Sequence, residues 1–338
     1  MADKPSRGLV LYGDGLVRFI SPSHTHLHSL ASRGSCGFLS LTNPPPSESK
    51  DERVVGELAQ LLDAYDAYIK RNGENAATLE CLKKPMVPTI SERFVVMVFV
   101  RFGTADNRIM FMGLRAAIFT NNMNVKSFGR NLGFTVLKFD DLSTNNHSPG
   151  KPPQDVVVSE LLKFLGFQGG KTLEANEFDL VFVHIGAGEK ENDLKDKIIG
   201  NELDWINGLV GEIIQVTQPG SEIGSRLHFS LVMSYGAVSE NDDSSLSTLI
   251  SQKEKNFDIS SIFPRQSFTM KGGNLLNNIR YHSPMLIAQW QEAVTRKDLA
   301  ETFSFKEFKE RGGNLTTPAD RFLHEVAFKL WKAPKYGA

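Results

Sequence analysis

The sequence predicts an α/β domain in which a mostly parallel β-sheet is covered by helices on both faces. Three observations carry that expectation. Short apolar runs recur along the chain, and several have no polar face: Val95-Val96-Met97-Val98-Phe99-Val100 and Leu180-Val181-Phe182-Val183 read as strands buried on both sides, as in helix-covered parallel sheets. Helical patterns alternate with those runs, the order of a right-handed βαβ build. Composition, 41% hydrophobic and 23% charged over 338 residues, is that of a globular protein with ample length for a core.

Strands are expected at 8–12, 94–102, 114–119, 134–139, 178–185, 227–233 and 284–288. The first ends directly in Gly13-Asp14-Gly15, which places a carboxylate at the C-terminal end of a buried strand, suited to a cation or to capping a turn. In His24-Thr25-His26-Leu27-His28, helical spacing puts only His24 and His28 on one face. With no third ligand nearby they read as solvated helix histidines and not as a zinc box. One amphipathic helix is expected over 54–70 and a shorter one over 156–165, and Ile199, Leu203, Ile206, Val210 and Ile213 form the apolar stripe of another. Near the end, Thr317 reads as a helix cap, Pro318 as the first helical position and Asp320 as the partner of a capping box, with Leu323, Val326, Ala327 and Leu330 as the buried face. Polar, Pro-rich or Gly-rich stretches at 42–53, 142–153, 239–247 and 263–278 read as loops, and loops at strand C-termini carry the sites of open α/β sheets.

Several function classes are disfavoured. The 38 basic residues nearly balance 39 acidic ones, so nothing draws the chain to nucleic acid or to an anionic membrane. No apolar run approaches the roughly 20 residues of a membrane span. The polar segment Met1–Arg7 followed by a strand that Asp14 interrupts does not resemble a secretion signal. Cys36 and Cys81 do not make a disulfide framework, and the expected compartment is cytoplasmic, or nuclear. No dinucleotide fingerprint, phosphate loop or Gly-x-Ser-x-Gly elbow is present.

The order of these segments resembles the alkaline-phosphatase superfamily, most closely the archaeal-type form of its cofactor-independent phosphoglycerate mutase branch. The residues that carry the resemblance are Leu11–Asp14, His24–Ala31, the small-residue turn Gly34-Ser35-Cys36-Gly37-Phe38, Gly113–Ile118 with Lys126–Phe134, Phe178–Ile185, and the tail from Phe305 through Gly312-Gly313-Asn314. The resemblance implies an alkaline-phosphatase-like core over 1–53 and 94–338, with 54–93 as a small helical insertion or cap remnant. It also implies two metal ions held by Asp and His ligands, and a nucleophilic Ser or Thr. Carried over position by position, the metal ligands fall on Asp14, Glu189, Asp193 and His282, and the nucleophile on Ser49, with Lys50 competing for that place. The later Asp-His pair falls within Met233-Ser234-Tyr235-Gly236-Ala237, where neither ligand exists. Arg115 and Arg130 are the anion-contact candidates, Lys126 reading as surface charge.

A metal pair neutralises phosphate charge and activates the nucleophile, so its loss removes the chemistry. The resulting expectation is a catalytically impaired scaffold, without a cofactor, that binds a protein or a phosphorylated small molecule. The alternative is a phosphohydrolase or phosphomutase with a rearranged or single-metal site taking Mn, Mg or Zn.

Overall fold

The computed structural model describes residues 6–43, 50–76, 113–139, 152–186, 195–236, 270–271, 274–275, 285–313 and 316–334. Eight strands form one sheet: β1 (Arg7–Asp14), β2 (Ser35–Ser40), β3 (Ala116–Phe119), β4 (Thr135–Leu137), β5 (Leu180–Gly186), β6 (Leu227–Met233), β7 (Met285–Trp290) and β8 (Thr316–Pro318). Their order across the sheet is β8-β2-β7-β6-β1-β5-β3-β4. All neighbours run parallel except β7, which is antiparallel to both β2 and β6. Strands β1, β5 and β6 occupy the middle of the sheet, and every residue of β1 is buried, as its unbroken apolar run requires.

Helices cover both faces. They are α1 (Thr25–Arg33), α2 (Lys50–Leu61), α3 (Tyr65–Ala76), α4 (Met123–Asn131), α5 (Gln154–Phe164), α6 (Lys195–Val216), α7 (Glu222–Arg226), α8 (Phe305–Arg311) and α9 (Phe322–Lys329). On one face Leu9 and Leu11 of β1 pack with Leu27 and Leu30 of α1, Leu161 of α5 and Leu203, Ile206 and Val210 of α6. On the other, Val10 and Tyr12 pack with Val54, Val55 and Leu58 of α2, Tyr68 of α3, Phe128 of α4 and Leu323 and Val326 of α9. The alternation of β1 side chains between the two layers is the period-2 rule of a strand. Among the described residues no helix is long and apolar enough to cross a membrane.

Three local expectations are corrected. The small-residue stretch after Gly34 is not a turn: Ser35–Ser40 is a fully buried strand, held between β7 and β8. Thr317 does not cap a helix; Thr316–Pro318 is the edge strand β8, and a 3-10 turn at Ala319–Arg321 leads into α9. A Thr-Pro pair suits an edge strand as well as a helix start, because proline has no N–H to give to a ladder. Leu323, Val326, Ala327 and Leu330 are nonetheless the buried face of the C-terminal segment. The single helix expected over 54–70 is two helices, broken where Asp63 takes a left-handed φ of 52°. The strand expected at 94–102 lies outside the described residues.

The bottom of the sheet is tied by one carboxylate. Asp179, just before β5, accepts from the backbone N–H, Nε and Nη2 of Arg115 at 3.0, 3.2 and 3.0 Å and from Asn176 Nδ2 at 3.0 Å. Although burial opposes it, these bonds hold the Asp179 carboxyl down at about 2.

Candidate functional site

The C-terminal ends of β1, β5 and β6 meet at Asp14. In register, Tyr12 lies beside His184 and Asp14 beside Gly186, while Gly13 lies beside Met233. Tyr12, Asp14 and His184 share the face of the sheet that α2 covers, because side chains two apart on a strand point the same way. Asp14 is 5% exposed. Its Oδ1 accepts from Arg53 Nη2 at 2.9 Å and from Ser234 Oγ at 3.3 Å. Arg53 lies in the first turn of α2 and is 4% exposed; its Nη1 donates to Glu57 Oε1 at 2.8 Å, one helical turn on. Glu57 Oε2 in turn accepts from the Tyr12 hydroxyl at 2.7 Å. The backbone N–H of Gly15 donates to Ser234 Oγ at 3.0 Å, closing a chain that runs from Tyr12 through Glu57, Arg53, Asp14 and Ser234.

The electrostatics follow from burial. Desolvation alone would push the Arg53 guanidinium down, but Glu57 and Asp14 outweigh it and hold it charged. Glu57 is pushed up by burial, with Arg53 the main opposing influence. Burial, then the charges of Glu57 and Asp14, raise the Tyr12 phenol well above its ordinary range, so it acts as a donor.

The surrounding backbone requires glycine. Gly15 and Gly236 both have positive φ, 70° and 72°, and a Cβ on Gly236 would stand 2.9 Å from the Gly15 Cα. Gly236→Ala is therefore expected to cost about 2–3 kcal/mol, from left-handed strain plus overpacking. A urea-unfolding midpoint within error of wild type, at unchanged slope, would contradict this. On the other side, a Cβ on Gly186 would stand 3.3 Å from Asp14 Oδ2 and 3.4 Å from His184 Nε2, so those two atoms converge on the Gly186 backbone. His184 Nδ1 is 2.8 Å from Thr120 Oγ1.

The structure separates the sequence-derived candidates. Glu189, Asp193, His282 and Ser49 lie outside the described residues. Arg115 sits at the far end of the sheet beside Asp179, one position below the Gly8–Leu180 pair, whereas Asp14 pairs with Gly186. Seven strand positions separate the two levels, about 23 Å at about 3.3 Å per residue. Arg130 is exposed in the last turn of α4, which descends from the top of β3, so it too faces the lower end. Lys126 is buried and not a surface charge. Tyr235 is buried in the apolar layer just beyond β6. The histidines near the first helix are not simply solvated: His24 is buried and its Nε2 lies 3.3 Å from Asp204, while His28 Nδ1 accepts from the Phe303 N–H at 3.1 Å.

The cation beside the Asp14 carboxylate is the Arg53 guanidinium, and among the described residues no group of three His, Cys, Asp or Glu is arranged to hold a metal. Sequence reasoning missed Arg53, Glu57 and His184. The reading that placed 42–53 in a loop is corrected at its end: the helix begins at Lys50, and only this puts Arg53 one helical turn before Glu57.

Comparison with known proteins adds fold information. No protein-family model matches the chain, and no curated protein does. Among solved structures, the PH0037 protein from Pyrococcus horikoshii is similar over 99% of both chains at 15% identity and a TM-score of 0.52, which shows a shared fold. Other similar structures include the cofactor-independent phosphoglycerate mutase from Thermoplasma acidophilum (10% identity, 96% of this chain and 99% of that one, TM-score 0.45). They also include a protein in the alkaline phosphatase superfamily from Vibrio parahaemolyticus (10% identity, 86% and 61%, TM-score 0.40). The fold class is thus α/β with a mostly parallel sheet, a fold shared with the PH0037 protein.

Proposed function

We propose that the chain is a catalytically impaired scaffold of phosphoglycerate-mutase-like, alkaline-phosphatase-like architecture that acts by binding a protein or a phosphorylated small molecule. The observation that carries this reading is the buried ion pair of Arg53 with Asp14, at 2.9 Å, which commits the carboxylate at the end of the first strand to an internal partner. Fold alone does not decide the matter, because function lives in the site. The near balance of 38 basic and 39 acidic residues supports a partner other than nucleic acid or a membrane surface. A cytoplasmic location fits the sparing use of cysteine, and burial pushes the Cys36 thiol up, which suits an inert core residue.

The alternative, a phosphohydrolase or phosphomutase with a rearranged site, draws on the convergence of Asp14 Oδ2 and His184 Nε2 at Gly186. Calorimetry with Mn, Mg and Zn on metal-stripped protein separates the two. The proposed reading expects no saturable binding that Asp14→Ala abolishes, and no Ser49-dependent turnover of phosphate monoesters or phosphoglycerate. Micromolar Mn or Zn binding lost in both Asp14→Ala and His184→Ala would establish the alternative.

A further inference from the structure

The acceptors around Arg53 are held in place by groups other than Arg53. Glu57 Oε2 is fixed by the Tyr12 hydroxyl at 2.7 Å, and Asp14 Oδ1 by Ser234 Oγ at 3.3 Å, itself fixed by the Gly15 N–H. Tyr12 and Asp14 lie on a central strand buried along its whole length, and Ser234 follows directly on another. Glu57 is carried by α2, whose Val54, Val55 and Leu58 are locked into the apolar layer against the sheet. A guanidinium presents flat, paired N–H donors, and the two terminal nitrogens of Arg53 each meet one carboxylate oxygen, at 2.8 and 2.9 Å. Magnesium and manganese ask for something different, a shell of about six oxygens at about 2.0–2.2 Å that includes several waters, and this pocket is almost closed to solvent, both acids being no more than 5% exposed.

We infer that Tyr12, Asp14, Glu57 and Ser234 form a guanidinium-binding cradle that Arg53 fills from within the chain, so that truncating Arg53 converts it into a site for a free guanidinium ion. The inference rests on the reading of Asp14 given above, and it adds the chemical class of cation that the site selects. The cradle also locks the N-terminal turn of α2 to β1, which makes the cation a structural component of the top of the sheet.

The test is a thermal-unfolding titration of full-length wild type and Arg53→Ala with guanidinium, methylguanidinium, Mg and Mn chlorides, each to about 20 mM, far below denaturing guanidinium concentrations. The expected result is a rise of about 3 °C or more in the Arg53→Ala midpoint with guanidinium or methylguanidinium, saturable and absent in wild type. Potassium chloride at equal ionic strength should not reproduce it, and Arg53→Ala with Asp14→Asn should lose it. If Arg53→Ala gives no soluble protein, the same titration is run on Arg53→Ala with Glu57→Gln, which removes one of the two uncompensated charges. Refolding yield from urea with and without methylguanidinium then serves as the readout for any variant that does not express folded. No guanidinium response in these variants overturns the inference while leaving the binding-scaffold reading intact. Stabilisation of Arg53→Ala by Mn or Mg in preference to guanidinium also overturns it. Mn binding to wild type that Asp14→Ala removes overturns both.

Discussion

Arg53→Ala, in plain buffer, is expected to destabilise the chain by about 3–5 kcal/mol, the range for removing one partner of a buried charge pair. The magnitude comes from what is left behind. Asp14 and Glu57 are no more than 5% exposed, and without the guanidinium two carboxylates would face each other across a closed pocket. Converting the whole cluster tells a different story. Arg53→Met combined with Asp14→Asn and Glu57→Gln removes every charge at once, and such replacements are commonly neutral or stabilising. The triple variant should therefore recover most of the loss. Urea unfolding with a common slope measures both, and a double-mutant cycle between Arg53→Ala and Asp14→Asn should give a coupling of about 1.5 kcal/mol or more. An Arg53→Ala loss below about 1 kcal/mol would mean the pair is screened and relaxed, as at a protein surface.

Why the sheet was readable and Arg53 was not has a physical explanation. Strand β6 occupies 227–233 as predicted although His228 and Ser230 interrupt it, and β1 and β5 contain or closely match their predicted ranges, because Leu9–Tyr12 and Leu180–Val183 are apolar on both faces. Strand β2 left no such signature. Ser35, Gly37 and Ser40 are small residues that read locally as a turn, although the strand is paired on both sides, with β7 and β8. The break between α2 and α3 depends on Asp63 adopting a left-handed φ, which non-glycine residues seldom signal in sequence. Asp14 was legible because glycines flank it at a strand end. Arg53 takes its meaning from tertiary packing: only once Val54 and Leu58 turn α2 onto the sheet do Arg53 and Glu57 fall over Tyr12 and Asp14. The family resemblance directed attention to candidate metal-ligand positions, whereas the structure shows that Arg53 stands beside Asp14, the one of those candidates that lies among the described residues.

The pH dependence of stability should contain two steep and opposing contributions that nearly hide one another. His228 of β6 is fully buried, and burial, reinforced by the charge of Lys329, lowers it to about 3. The Gln289 amide nitrogen lies 3.4 Å from its Nε2 and 3.1 Å from Ser230 Oγ, and Gln289 as donor puts the His228 proton on Nδ1, which has no acceptor. The unfolded chain takes up this proton near pH 6.5 and the folded chain only near pH 3, so stability falls as pH drops through that window, by at most about 5 kcal/mol at about 1.4 kcal/mol per unit. Asp63 works the other way. Burial, with Asp320 and Asp66 adding to it and Arg321 opposing, raises it to about 7 from an ordinary value of 3.8. Its folded form keeps a proton the unfolded form has lost, so it removes stability as pH rises from about 4 to about 7. From His228 and Asp63 alone the profile is shallow between about pH 4.5 and 6.5. Glu57, Asp320 and Glu325, raised by burial, add to the Asp63 slope, and His324, lowered by burial, adds to that of His228. The profile steepens at lower pH as the unfolded chain also protonates Asp179, held at about 2. Each substitution should expose the other slope: His228→Leu should lose stability as pH rises, and Asp63→Asn should lose it as pH falls. Urea unfolding of the three proteins across that range decides the matter. Parallel profiles would show that neither group titrates differently in the folded chain, and a slope changed in only one variant would assign the effect to that residue alone.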